Sequence, residues 1–156
     1  MISPTRGEMV SRLTKFKGIL RGAFLFVHSI VRTAMQRVYR LETLEGVGVY
    51  MARERSQMLQ RIMNEYVEVP RHPGPMNDSL LTDAFYSANQ QSFSFGFSSL
   101  EQLKEWFFDA NDRELLSLHG IVCNEYEIEG WGFVAGWKQC MFVKENARLV
   151  GQVDFI

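Results

Sequence analysis

The apolar positions of this chain fall into two kinds of stretch, alternating and helically spaced, and their order sketches a fold. Residues 37–42, RVYRLE, set Val38, Arg40 and Glu42 on a mainly polar face of a strand and Tyr39 and Leu41 on an apolar one. Gly46 and Gly48 close that strand in a turn; GVGVYMA lacks the third glycine of a dinucleotide fingerprint. From Arg53 to Tyr66, Met58, Leu59, Ile62, Met63 and Tyr66 share one helical stripe, which Pro70 ends. Residues 69–78, VPRHPGPMND, hold three of the four prolines and read as a stiff, extended loop.

Asp78 is placed to cap a helix from Ser79 to Asn89, with Leu80, Leu81, Ala84, Phe85 and Ala88 inward. SFSFGF, 92–97, alternates as a strand. Ser98 and Glu101 form a capping box for LEQLKEWF, which buries Leu100, Leu103, Trp106 and Phe107. Leu115, Leu116 and Leu118 mark a short helix with Gly120 just past its end. The last third is sheet: residues 121–128, a glycine-rich turn, 138–143, and 148 onward. Strand, helices, strand, helix and a closing meander make an α+β domain with a mainly antiparallel sheet and three to four helices.

Charge changes the picture at the N-terminus. The net charge is -1, yet residues 1–35 carry six Lys/Arg against Glu8 alone, so the rest carries 11 basic and 17 acidic residues. Residues 1–35 therefore form a basic amphipathic leader or helix ahead of an α+β domain at 36–156. Leu13, Phe16, Leu20, Phe24, Val27 and Val31 recur at helical spacing. Three readings fit: a leader or over-long start before Met35, a basic helix on the body or a surface, and a cleaved signal. The apolar run is too short to be a transmembrane segment, which needs about 20 residues. An acidic body makes nucleic acid a poor partner for residues 36–156.

Hydrophobic residues at 46% and charged residues at 22% are those of a globular chain. Cys123 and Cys140 are too few and too far apart for a disulfide scaffold or a zinc site and read as reduced core thiols. The expected location is the cytoplasm of a host cell, with no metal and no cofactor.

Candidate chemistry is sparse: GxSxG, HExxH, Walker and CxxC motifs are all absent from the sequence. His119 sits in the last turn of its helix, where a cation suits the dipole. His72, between Arg71 and Pro73, reads as a solvent-facing loop histidine with Asp78 near enough for an acid/base pair. Trp131, Phe133 and Trp137, in the glycine-flanked GWGFVAGW, are the candidate partner-binding anchors.

Three pieces carry a family resemblance: Tyr39 and Arg40 on the first strand, FGFSS running into LEQLKEWF, and KQCMFVKENARLVGQVDF. Together they resemble the ADP-ribosyltransferase fold over residues 37–155. The resemblance implies that Arg40 anchors NAD, that Ser98 or Ser99 lines the pocket, and that Gln139 stands where the family has its catalytic glutamate. Gln139 brings a hydrogen bond without a charge, and such a loss costs on the order of 10²–10³ in rate. Without the family, Arg40 reads as a surface-paired strand residue, Ser98 as a helix cap and Gln139 as a solvent-facing residue. In layout the chain also resembles small bacteriophage accessory proteins that bind a host protein.

Two classes of function follow. One is a non-catalytic protein that binds a host protein or other partner. The other is an NAD- or nucleotide-handling protein using Arg40, Ser98, Ser99 and Gln139, with His72 as a catalytic candidate. Convergence of those side chains on one cavity separates the two. Oligomeric state has no signature in the sequence.

Overall fold

A computed structural model describes residues 34–67, 71–87 and 93–156. The expected basic leader lies outside the described residues except for Ala34 and Met35, as do Val69, Pro70, Ala88, Asn89 and Ser92. Met35–Ile156 form one compact unit.

The chain runs through β1 (Met35–Thr43), α1 (Val49–Ala52), α2 (Gln57–Glu65), α3 (Ser79–Ser87) and β2 (Ser94–Gly96). It continues through α4 (Leu100–Trp106), α5 (Ala110–Leu118), β3 (Ile121–Glu129), β4 (Phe133–Ala135), β5 (Cys140–Phe142) and β6 (Arg148–Val153). The α+β class holds, with five α-helical segments among the described residues where three to four were expected. The extra one is the single turn of α1.

Among the described residues all strand pairing is antiparallel, in two three-stranded sheets ordered β1-β3-β6 and β2-β5-β4. β1 pairs with β3 from Met35 opposite Glu129 to Thr43 opposite Ile121. The sheets are stitched together by Tyr39 and Phe97, which exchange two backbone hydrogen bonds of 2.8 Å. Close approach here requires glycine: a Cβ on Gly96 would lie 2.6 Å from Val38 Cγ1 and 2.9 Å from the Tyr39 carbonyl oxygen.

Strand alternation then sends successive side chains of β1 into two different cores. Leu41 joins Leu59, Ile62, Tyr66, Leu103 and Phe107 in the larger, mostly helical cluster. Val38 joins Tyr126, Ile128, Cys140 and Phe142 between the sheets. The face of β1 that reads as polar is therefore covered, and Glu42 on it is completely buried.

Local boundaries shift where capping decides them. The helix expected from Arg53 divides: Arg53–Arg55 is a 3₁₀ turn, and Ser56 caps α2 by accepting from the Leu59 amide at 3.1 Å. The cap of α4 is Ser99, not Ser98; its Oγ accepts from the Gln102 amide at 3.1 Å. Gly120 takes its expected place after α5 with φ 78°. In α3 Leu81 is buried, but Leu80 faces outward. No helix among the described residues is long and apolar enough to cross a membrane.

Candidate functional site

Where β1 passes α1 and the end of α4, the packing leaves a cavity of about 190 Å³. Five aromatic residues, Tyr50, Phe95, Phe97, Trp106 and Phe107, are among those that line it, together with the polar side chains of Arg40 and Gln139. The wall polar atoms are turned on one another: Trp106 Nε1 donates to the Tyr50 hydroxyl at 2.6 Å, and that hydroxyl donates to the Tyr66 carbonyl at 3.0 Å. Burial pushes the Tyr50 phenol up to about 12, so it stays neutral.

Arg40 is held from behind. Its Nε donates to Glu42 Oε1 at 2.6 Å and its Nη1 to the Phe95 carbonyl. Nη2 lies over Gly48, so close that a Cβ there would stand 2.3 Å from it. A guanidinium has five N–H donors, so these contacts leave donors for the cavity. Gln139 is oriented likewise. Its Nε2 donates to the Pro73 carbonyl at 2.8 Å, which fixes the amide and leaves Oε1 as the acceptor.

Behind Arg40 is a buried polar network centred on Glu42. Lys144 Nζ pairs with Oε1, and Asn124 Nδ2 and the Tyr126 hydroxyl donate to Oε2 at 2.9 and 2.6 Å. Burial alone would raise the Glu42 carboxyl; the hydrogen bonds from Lys144, Tyr126 and Asn124, with the charge of Arg40, outweigh it and hold the group below its ordinary value. Burial, joined by the same carboxylate, pushes the Tyr126 phenol upward. Arg40 and Lys144 thus share the single carboxylate of Glu42.

Of the residues singled out in the sequence, Arg40 and Gln139 line one cavity, and Ser98 and Ser99 are not among its lining residues. Gln139 is buried rather than solvent-facing because the proline loop lies across it. Ser98 is exposed, with its amide donating to Gln102 Oε1 at 2.7 Å. His72 corrects the expectation most strongly. Its ring is buried, 4.9 Å from the Trp106 ring and 5.3 Å from that of Tyr66. Nε2 lies 2.9 Å from the Trp106 carbonyl oxygen, and a carbonyl only accepts, so Nε2 carries the proton. The proline-stiffened loop thus carries His72 into the aromatic core instead of into solvent.

Asp78 clamps two backbone segments together. Its carboxylate accepts from the Leu80 amide at 3.0 Å and the Trp137 amide at 2.7 Å, tying the start of α3 to the loop after β4. Trp137 is 69% exposed and Trp131 57%, whereas Phe133 is half-buried against the inter-sheet core. Cys123 and Cys140 are both buried and free, one in each core cluster.

Sequence reasoning missed Glu42, Asn124, Tyr126 and Lys144. The available signal was the position of Glu42 two and four residues from Arg40 and Val38 on one strand face, which burial of Val38 would carry inward.

A family model described as bacteriophage T4 Y00F protein matches residues 35–156. No curated protein and no solved structure matches the chain.

Proposed function

Because the chain belongs to the bacteriophage T4 Y00F protein family, we propose that it acts without catalysis, by binding a protein of the host cell. The surface proposed for this contact centres on Trp137 and Leu80. One observation carries the reading: the Asp78 carboxylate fastens the backbone amides of both residues at once. Two outward apolar side chains from distant segments are thereby displayed on a common, rigid support. Trp137 and Leu80 are 69% and 52% exposed. Met76 and Tyr86 are also exposed and are joined by a hydroxyl-to-sulfur contact of 3.2 Å. Aromatic anchors held rigidly lose little freedom on binding and dominate hot spots.

Trp137→Ala and Leu80→Ser should abolish capture of a specific host protein that wild type retains, with melting temperatures unchanged. Trp131→Ala is the comparison, because Trp131 Nε1 is engaged by Glu129 at the other end of β4. Equal capture by wild type and the Trp137 and Leu80 variants would refute this surface.

The nucleotide-handling reading draws on Arg40 and Gln139 lining one cavity. Against it, the cavity is about 190 Å³, below the roughly 300–1,000 Å³ typical of pockets for drug-sized ligands. Calorimetry with NAD separates the two readings: measurable binding heat in wild type, lost in Arg40→Lys, would favour the nucleotide.

A further inference from the structure

We propose that the Arg40–Gln139 cavity is a binding site for a single apolar residue or ring bearing a carboxylate, such as the C-terminal residue of a peptide or a small free aryl acid. The size sets the first limit. A volume of about 190 Å³ exceeds the roughly 150 Å³ of a cavity that takes up benzene, so one ring fits. The walls set the second. Tyr50 and Trp106 turn their polar atoms toward each other, so with Phe95, Phe97 and Phe107 they offer a ring mainly apolar surface.

Charge sets the third. Arg40 is 84% buried by its side-chain exposure of 16%, and Nε and Nη1 are committed to Glu42 and Phe95, which orients the guanidinium without using Nη2. Lys144 shares the neutralisation of Glu42, so Glu42 does not cancel both cations. A carboxylate entering here meets a preorganised donor of opposite charge, and charge-assisted hydrogen bonds to guanidinium are the strong ones. Gln139 Oε1 adds an acceptor suited to an N–H next to that carboxylate, which an acylated amino acid or a peptide end supplies and a simple aryl acid lacks. Trp137 is not among the residues that line the cavity, so this chemistry is independent of the exposed surface.

The test is a ¹⁵N-resolved titration of the full chain, read at the Trp106 indole N–H, with N-acetylphenylalanine, its C-terminal amide, 3-phenylpropionate and a short peptide ending in free phenylalanine. Saturable shifts with the acids are expected, with the amide at least about tenfold weaker. Tighter binding of the acylated acid and the peptide than of 3-phenylpropionate assigns the site to peptide ends; the reverse order assigns it to free aryl acids. Arg40→Lys keeps a cation for Glu42 but removes the fork, and Gly48→Ala displaces the guanidinium tip without removing charge; each should weaken the acids about tenfold or more. No saturable shift with any acid, equal binding of acid and amide, or undiminished binding in both variants overturns the assignment.

Discussion

Glu42 on β1 and Lys144, 102 residues later in the turn after β5, meet as an ion pair with the carboxylate wholly buried. The pair joins the two sheets at the point where Arg40 reaches the cavity, because Lys144 also donates to the Gly46 carbonyl at 2.8 Å. Removing one member of such a group strands the others.

Glu42→Gln should therefore cost about 3 kcal/mol in a urea melt, since Arg40 and Lys144 lose their shared counter-charge. A loss under about 1 kcal/mol would show that the network is dispensable.

Acid should act through the same group. The Glu42 carboxyl is held below its ordinary value of 4.5 in the fold, so its contribution is present above that pH and disappears as pH falls through the lower, folded value. Wild type should lose stability on acidification below about pH 4.5, and Glu42→Gln should lack that share of the loss. Parallel acid limbs in stability against pH would contradict this.

Burial pushes the thiols of Cys123 and Cys140 up to about 12. At pH 8 neither should react with a thiol reagent until the protein unfolds, because the thiolate is the reactive form. Fast labelling of either thiol in native buffer would place it at the surface.

Trp106 joins the aromatic core, the cavity wall and a hydrogen bond to Tyr50 in one side chain. Trp106→Ala should cost about 3–5 kcal/mol, and Trp106→Phe only about 1–2 kcal/mol, chiefly the lost hydrogen bond. Equal melting temperatures for wild type and the alanine variant would refute the packing of α4.

Both the family match and the compact unit begin at Met35. Residues 35–156 expressed alone should fold with a urea-melt stability within about 2 kcal/mol of the full chain. A larger loss would make the preceding residues part of the core.

Much of this architecture was legible because its causes are local. The alternation in RVYRLE and the apolar stripe through Leu59, Ile62, Met63 and Tyr66 depend on side-chain geometry within a few residues, and both became the expected elements. The glycine after His119 was legible for the same reason. Caps were harder, since Ser98 and Ser99 are chemically equal and one residue of register decides which hydroxyl meets an amide.

The candidate site was only half legible. Arg40 and Gln139 do share a cavity, but the resemblance that paired them with Ser98 and Ser99 rested on chain order, and the turn into α4 leaves both serines out of the lining. Leu80 reads as inward by spacing, yet Asp78 ties its amide beside that of Trp137, and the side chain faces out.

By itself, then, the sequence determined the α+β class and the identity of most strands and helices, because hydrophobic period and capping act over a few residues. Only the tertiary structure decided which faces were covered. It buried Glu42 under Lys144 from the far end of the chain and drew His72 against Trp106. Those outcomes depend on surfaces brought together from distant segments, where burial and counter-charge, not local spacing, set each residue's role.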